Sequence, residues 1–362
     1  MCARAPRQEV SAGARVDKRG LRRTQAARST HIRSSKKGKP TLSDECVAGI
    51  DIGGTKIALA LAAPDGRIIE GTRFPTRVED GPTAILERVF NEIQKLLEKS
   101  GSRLAAVGVG CGGPLDRARG LILSPPNLPG WDEFPIIEML EVRFGVKALL
   151  DNDANAAALG EHRYGAGRGL KHLVYITIST GIGGGVIVRG KLVHGVDDGA
   201  GEVGHMTVLP DGPLCGCGAR GCLEALCSGK AIARRARERL AAGEVGSLSA
   251  LGHKELTAQT VAEAARTGDA LASVVWYDTI RHLSVGVGNI FHALAPEAVI
   301  IGGGVSVVGE QLFEPLREQV RARVRMLPPD KINILQASLG GDSGIHGAVI
   351  LGQAALEGTA SA

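Results

Sequence analysis

Residues 46–56 read CVAGIDIGGTK, and residues 172–185 read HLVYITISTGIGGG. In each stretch an apolar run typical of a buried strand ends in a turn of glycine and threonine, and a second apolar run follows. Glycines at such a turn let the backbone approach a phosphate or a sugar closely. Two copies of the same plan predict two related α/β lobes that face each other across a cleft.

Amphipathic periodicity and turn residues predict the remaining elements. Residues 56–64 and 67–76 are expected to form two strands joined by a hairpin turn at Asp65-Gly66. In the second half we expect a tight turn over residues 180–185 and a strand over residues 186–193. The predicted helices cover residues 82–100, 134–144, 154–163, 229–242, 257–267, 269–293, 309–326 and 344–357, further strands cover 103–110, 146–153, 297–301 and 332–337, and a long loop covers 111–131.

Composition limits the class of protein. The chain has 362 residues, 44% of them hydrophobic and 22% charged, which is typical of a globular protein long enough for two domains. Residues 1–40 hold twelve Lys or Arg against Glu9 and Asp17, a net +10, whereas the whole chain has +5, which leaves −5 for residues 41–362. We therefore expect a disordered basic tail over residues 1–43, with a role that the sequence leaves open, and no nucleic-acid partner for the remainder.

The cysteines and the apolar runs bear on the compartment. Seven cysteines are an odd number, and three of them belong to a metal-binding pattern, which favours a reducing environment. No apolar run approaches the length of a membrane span. The sequence thus predicts a cytoplasmic protein without a membrane partner.

A compact set of metal-ligand side chains lies in the stretch GEVGHMTVLPDGPLCGCGARGCLE, residues 201–224. Three cysteines in C-x-C-x4-C spacing and one histidine predict a closed, structural zinc site formed by His205, Cys215, Cys217 and Cys222. Two carboxylates flank it, Glu202 and Glu224. Carboxylates commonly accept hydrogen bonds from sugar hydroxyls, and a zinc site that fixes both segments would pre-organise these acceptors.

Two further motifs suggest phosphoryl transfer. In the turn over residues 51–56, backbone N–H groups with Thr55 and Lys56 could hold phosphate, and Asp51 is placed to hold Mg2+. Asp153 stands where a strand meets a helix, and it could be either an ordinary helix N-cap or the base that accepts a proton from a substrate hydroxyl. Two other phosphate-loop patterns, at residues 108–113 and 228–231, lack the required following helix or spacing and are rejected.

Together these motifs resemble the ROK family of bacterial sugar kinases and repressors, and most closely its glucokinases. The resemblance extends from residue 46 to about residue 355. It is carried by DIGGTK at 51–56, NLPGW at 127–131, NDANAAALGE at 152–161, TGIGGG at 180–185, and the AGEVGHM and CGCGARGCLE segments.

The resemblance implies a fold and a set of roles. The fold would be the two-lobed α/β actin/hexokinase-like (ribonuclease H-like) fold with an interlobe cleft. Its small lobe would be residues 44–151 with helix 344–357 packed on it, and its large lobe residues 152–343 with the zinc loop 205–222. Asp153 would be the catalytic base. The sugar would contact Gly113, Asn127, Asn152, Asp153, Glu202, His205 and Glu224, and ATP would contact Asp51, Gly53, Gly54, Thr55, Lys56, Thr180, Gly181, Gly183, Gly302, Gly303 and Gly304.

The implied activity is ATP-dependent phosphorylation of a hexose, with D-glucose preferred, supported by structural Zn2+ and by Mg2+ bound with ATP. The alternatives are a kinase for N-acetylglucosamine, N-acetylmannosamine, fructose or mannose, and a sugar-sensing transcriptional regulator of the same family. The resemblance also implies a homodimer or homotetramer. It leaves open which hexose is used and whether ATP or polyphosphate is the donor.

Overall fold

The computed structural model describes residues 45–359, so the predicted basic tail over residues 1–43 lies outside the described residues. Its first half contains β1 (Glu45–Ile52), β2 (Lys56–Ala62), β3 (Ile68–Pro75), α1 (Pro82–Ser100), β4 (Arg103–Cys111), β5 (Leu115–Asp116), β6 (Leu121–Ile122), α2 (Ile136–Phe144), β7 (Lys147–Asn152) and α3 (Asp153–Tyr164). The second half contains β8 (His172–Ile178), β9 (Ile182–Val188), β10 (Lys191–Val193), α4 (Leu223–Cys227), α5 (Gly229–Ala241), α6 (Ala258–Arg266), α7 (Ala270–Leu294), β11 (Ala298–Gly302), α8 (Glu310–Arg323), β12 (Ile334–Gln336) and α9 (Ser343–Glu357).

The two halves form two sheets of the same design. The first has the strand order β3-β2-β1-β4-β7 and the second β10-β9-β8-β11-β12. In each, three antiparallel strands are followed by two strands that run parallel to the central one. The predicted internal repeat is therefore confirmed at the level of topology. The division into lobes at residues 151 and 152 remains a prediction.

Several predicted boundaries were wrong in detail. Residues 183–185 are not part of a tight turn but lie inside β9, and the turn is confined to residues 179–181. The expected strand over 186–193 is divided by a second turn at Arg189-Gly190, where both residues have left-handed φ angles. In the first half, Phe134 lies before α2 and pairs with Ile122. The expected long loop also contains a small hairpin of β5 and β6. Short paired segments of this kind carry too few residues to show a period in the sequence.

Helix α9 packs against β1 and β4 of the first sheet and, most extensively, against α3. The α3–α9 contact is made backbone to backbone. A Cβ atom on Gly347 would overlap the carbonyl oxygen of Ala156, and one on Gly160 would overlap the carbonyl oxygen of Ser343. Because glycine has no side chain, these positions permit an approach that any other residue would prevent.

A buried carboxylate secures the same junction. Glu161 of α3 is fully buried and accepts hydrogen bonds from the backbone N–H groups of Ala166, at 2.8 Å, and Leu339, at 2.9 Å, and from the Ser343 hydroxyl at 2.8 Å. A buried charge is tolerated when it is hydrogen-bonded in this way. The segment that leads into α9 is thus held directly on α3.

Candidate active site

The register of the first sheet brings the candidate catalytic residues to one edge. In the parallel ladder, Asp51 of β1 pairs with Gly110 of β4, and Gly110 pairs with Asp151 of β7. The three strands therefore end side by side. Asp51 and Asp153 lie near each other at this edge, since the charge of Asp153 acts on the carboxyl group of Asp51, and a Cβ atom on Gly112 would lie 3.8 Å from Asp153 Oδ2.

The N-cap interpretation of Asp153 is wrong. The cap of α3 is Asn152, whose side-chain oxygen accepts a hydrogen bond from the backbone N–H of Ala154 at 2.8 Å. Asp153 is the first residue of the helix. Because its neighbour supplies the cap, the carboxylate of Asp153 remains available for another role.

Burial, together with neighbouring negative charge, raises the pKa of both carboxyl groups at this edge. Desolvation, with a smaller contribution from the charge of Asp153, raises the pKa of Asp51 to about 7, against the lowering effect of Lys56 and Arg73. Burial also raises the pKa of Asp153, and the charge of Glu202 adds to this while the backbone N–H of Ala154 opposes it. The fold therefore disfavours the charged form of both carboxyl groups, which is typical of residues at a functional site.

Glycine turns place the predicted substrate residues beside this edge. A Cβ atom on Gly54 would lie 2.6 Å from the backbone oxygen of Asn127, so the first glycine turn is in direct contact with the NLPGW segment. A Cβ atom on Gly113 would lie 3.4 Å from Nδ2 of Asn152. Thr55 and Lys56 are exposed at the turn. The structure thus brings Asp51, Gly54, Gly113, Asn127, Asn152 and Asp153 together.

The second sheet has a corresponding edge. β8 ends at Ile178 and β11 at Gly302, which pairs with Thr177. The backbone N–H of Val305 donates to the Ile178 oxygen at 3.0 Å, so the turn that holds Gly302, Gly303 and Gly304 lies against the strand that leads into Thr180 and Gly181. Gly304 has open space around its Cα atom, and Thr180 is exposed. Both groups of predicted nucleotide contacts therefore share one edge.

The four predicted metal ligands converge. The ligand atoms of His205, Cys215, Cys217 and Cys222 all lie within 4.8 Å of one another. Cys217 Sγ lies 3.7 Å from Cys222 Sγ, and Cys215 Sγ lies 3.6 Å from His205 Nδ1. A tetrahedral ion with the usual bond lengths to sulfur and nitrogen requires separations of about 3.8 Å and about 3.6 Å for these two pairs. The residues thus fit a tetrahedral metal ion.

The two flanking carboxylates have different surroundings. Glu224 Oε2 accepts a hydrogen bond from the backbone N–H of Ile182 at 2.8 Å and touches Gly181, so it connects the metal loop to the second glycine turn. Glu202 is exposed, and its Oε2 lies 3.8 Å from His205 Nε2. His205 thus turns Nδ1 toward the cysteines and Nε2 toward Glu202, so each ring nitrogen faces a different group.

Other residues at the site carried no signal in the sequence. Arg117 and His194 pair with Asp151, and Asp198 pairs with Arg117, although these residues are far apart in the chain. Gly229, in a pattern rejected as a phosphate loop, donates its backbone N–H to the Ser179 oxygen at 2.8 Å. The segment around Gly229 therefore supports the second glycine turn through this hydrogen bond.

Comparison with known proteins agrees with this geometry. The profile described as "ROK family" matches residues 47–355. This chain belongs to the ROK family. A relative, the glucokinase of Thermotoga maritima, is 39% identical over 306 residues, which are 83% of this chain and 95% of that protein.

Solved structures of ROK proteins match the whole fold. A ROK hexokinase from Thermus thermophilus superposes with a TM-score of 0.76 at 35% identity, over 86% of this chain and 99% of the other. A ROK family glucokinase from Streptomyces griseus, in complex with glucose and AMPPNP, gives a TM-score of 0.70 at 36% identity, over 85% of this chain and 99% of the other. The predicted actin/hexokinase-like fold is confirmed. Among residues 45–359, no helix combines the length and apolar character that crossing a membrane requires.

The raised pKa of Asp153 leads to a prediction about stability. Folding makes this carboxyl group bind its proton more tightly. The wild type therefore loses stability as the pH rises from the unfolded-state pKa, about 4, through the higher folded-state pKa. An amide does not titrate. The ligand-free Asp153→Asn variant should therefore melt a few degrees above the wild type at about pH 8, and the difference should shrink at about pH 5.

The measurement is thermal unfolding at both pH values, with Asp330→Asn as the control because Asp330 is exposed. The control should follow the wild type at each pH. An Asp153→Asn variant that is less stable than the wild type at about pH 8 would contradict the assignment of Asp153 as a carboxylate that the fold destabilises.

Proposed function

We propose that this chain is an ATP-dependent glucokinase, which transfers the γ-phosphoryl group of ATP to the 6-hydroxyl of D-glucose. The observation that carries the proposal is the position of Asp153, which begins α3 at the strand edge, next to Gly112 and near Asp51, and does not serve as the cap of its helix. The glucokinase relatives and the glucose and AMPPNP complex of the Streptomyces griseus protein support the choice of both substrates.

In this mechanism Asp153 acts as the general base. It accepts the proton of the 6-hydroxyl while the hydroxyl oxygen attacks the γ-phosphorus and ADP departs. A carboxylate with a raised pKa suits the role, because proton transfer is most efficient when the pKa of the base is near the working pH. The carboxylate of Asp153 is also held at the start of a rigid helix, which limits its positions relative to the bound sugar.

The other sugar hydroxyls would be recognised by acceptors and donors around the same edge. Asn152 and Asn127 offer amides, and Glu202 and His205 Nε2 face the same open side. Glu224 Oε2 is engaged with Ile182, and Oε1, which lies 4.0 Å from Cys215 Sγ, is the oxygen that would meet a hydroxyl. We assign the sugar contacts to Gly113, Asn127, Asn152, Asp153, Glu202, His205 and Glu224.

The two glycine turns would hold the nucleotide. Gly53, Gly54, Thr55 and Lys56 of the first turn and Thr180, Gly181 and Gly183 of the second would contact the phosphates, and Gly302, Gly303 and Gly304 the adenosine. Backbone N–H groups and Lys56 counter charge that develops on the phosphate oxygens. Mg2+ bound with ATP would supply the remaining positive charge. Asp51 is suited to bind this Mg2+, because its carboxylate forms no hydrogen bond among the described residues.

The metal loop has a structural role in this proposal. We assign zinc to the site of His205, Cys215, Cys217 and Cys222, because three thiolates and one imidazole at tetrahedral separations are a typical zinc ligand set. All four positions are filled by protein, so the ion would hold the loop rather than activate water. It would fix Glu202 and Glu224 at the two ends of the loop.

Substrate choice can be tested by measuring ADP release over a panel of glucose, mannose, fructose, N-acetylglucosamine and N-acetylmannosamine. We expect the highest kcat/KM with glucose and ATP. Repeating the assay with polyphosphate, detected as glucose 6-phosphate, tests the donor. A higher kcat/KM for an N-acetyl sugar would overturn glucose as the substrate, and tight glucose binding without turnover would favour a sugar sensor instead.

The role of Asp153 leads to a second kinetic prediction. Asp153→Asn keeps the shape of the side chain but removes the base, so kcat should fall by about a thousandfold. Glucose affinity, measured by calorimetry without nucleotide, should change less than about threefold. Asp330→Asn is the control. Turnover near the wild-type level in Asp153→Asn would rule out this residue as the base.

The metal site leads to a third prediction. Cys217 is the exposed ligand, so Cys217→Ser removes one thiolate with little change in packing. We expect a loss of bound zinc, a lower melting temperature and a KM for glucose raised by about tenfold or more, while kcat falls much less. Metal content, thermal unfolding and kinetics should be compared with Ala219→Ser on the same loop. Unchanged glucose affinity in a zinc-free Cys217→Ser protein would show that the metal does not position the sugar ligands.

A further inference from the structure

Four polar side chains form a connected cluster beside β7, the strand that leads into Asn152 and Asp153. At the centre is Asp151, the last buried residue of β7, with only 1% of its side chain exposed. His194 Nε2 lies 2.8 Å from Asp151 Oδ2, and Arg117 Nε lies 3.3 Å from the same oxygen. Arg117 also pairs with Asp198, at 2.8 Å from Nη1 to Oδ1.

The carboxylate of Asp151 is engaged on both oxygens. Oδ1 accepts hydrogen bonds from the backbone N–H of Asn152 at 2.7 Å and from Asn155 Nδ2 at 2.9 Å. Oδ2 faces His194 and Arg117. Because a carboxylate only accepts, Nε2 of His194 must carry a proton in this contact. Asp151 therefore links a histidine and an arginine to the first turn of α3, where Asp153 begins the helix.

These side chains come from three separate segments, and each segment also carries proposed sugar contacts. Arg117 lies in the hairpin segment that follows Gly113. Asp151 directly precedes Asn152 and Asp153. His194 follows β10, and its backbone oxygen accepts a hydrogen bond from the N–H of Ala200 at 2.8 Å, two residues before Glu202. The network thus connects the three parts of the chain that would surround the hexose.

The third segment is held in an unfavourable conformation. Asp197 and Asp198 are consecutive non-glycine residues with left-handed φ angles of 49° and 58°. Such angles cost free energy and persist only where surrounding contacts enforce them, which often happens at functional sites. Here the enforcing contacts are the pair of Asp198 with Arg117 and the pair of His194 with Asp151. The strain indicates that the position of residues 194–201 is specified by the network.

We infer that Arg117, Asp151, His194 and Asp198 form a positioning network for the hexose site. It holds Asn152 and Asp153 in register with Glu202 through contacts that do not touch the sugar. This inference rests on the proposed function, because it takes those three residues to face the substrate. A change in the network should alter sugar affinity and the alignment of the base. It should have little effect on nucleotide binding, because the proposed nucleotide contacts lie on other segments.

His194 offers a matched pair of variants. In His194→Gln the side-chain amide can place an N–H near the position of Nε2 and keep the bond to Asp151, whereas His194→Leu fills similar space without a donor. We expect His194→Leu to raise KM for glucose by about tenfold or more and to lower kcat several-fold, since small misplacements of a reacting group are costly. KM for ATP should stay within about twofold, and His194→Gln should stay within about threefold of the wild type in every parameter.

A second pair of variants, at Asp198 and its neighbour, leaves the buried Asp151 and its contact with His194 in place. Asp198→Asn removes the charge that holds Arg117, and the neighbouring Asp197→Asn is the control, since Asp197 is exposed and asparagine tolerates the same left-handed backbone. We expect a several-fold rise in KM for glucose for Asp198→Asn alone. In the double variant with His194→Leu, the two effects should not multiply, because both act through one network.

Equilibrium glucose binding without nucleotide separates this inference from the proposed function. If the wild type binds glucose but transfers no phosphoryl group, the proposed function fails, and weaker glucose binding by His194→Leu than by His194→Gln still supports the network. If the wild type binds no hexose, both proposals fail. If His194→Leu lowers only the melting temperature, or raises KM for glucose and ATP alike, the network is merely structural and the inference is overturned.

Discussion

Negative charge at the end of the first sheet is the constraint on which the site depends. The parallel register of β1, β4 and β7 places Asp51 and Asp153 at one edge, and Glu202 approaches from the second half. The folded chain raises the pKa of both aspartates, mainly because it removes them from water and to a smaller extent because a neighbouring carboxylate repels their charge. Ligand binding would relieve this repulsion, because a nucleotide bound with Mg2+ brings the missing cation and a sugar brings hydroxyl donors. The protein thus gives up stability when free in order to be ready for its substrates.

In the proposed function the metal loop serves both substrates. A zinc ion bound by His205 and the three cysteines would hold residues 205–222 as a unit. Glu224 at the end of the loop hydrogen-bonds to Ile182, the first residue of β9 after the second glycine turn, and Gly204 packs against the carbonyl oxygen of Ile182. The proposed sugar acceptors and the proposed phosphate-binding turn would thus share one support, and a disturbance of the loop would reach the nucleotide side through these contacts.

Much of the fold and of the candidate site could be predicted from the sequence. Long amphipathic helices and buried strands show clear periods, and the duplicated glycine turn indicated the two equivalent sheets that the topology confirmed. The metal ligands were recognisable because they lie close together in the chain in a characteristic spacing. By contrast, the grouping of Arg117, His194 and Asp198 with Asp151 could not be predicted. These residue types are usually exposed, and nothing in the local sequence shows that the fold brings them close to Asp151. The part of β9 that contains Gly183 was also missed. Three consecutive glycines favour a turn, unless a neighbouring strand such as β8 supplies a ladder of hydrogen bonds.

The backbone contact between α3 and α9 has a mechanical consequence. Asp153 stands at the first residue of α3, and Gly344 at the start of α9 lies against the carboxylate of Asp51. No side chain separates Gly347 from the backbone of Ala156, and Glu161 is bonded across the junction, so the backbones of the two helices cannot approach further. If the two helices move as one body, any rocking of one sheet against the other bends the chain elsewhere. The spacing between Asp51 and the proposed base Asp153 would then be the same with the cleft open or closed.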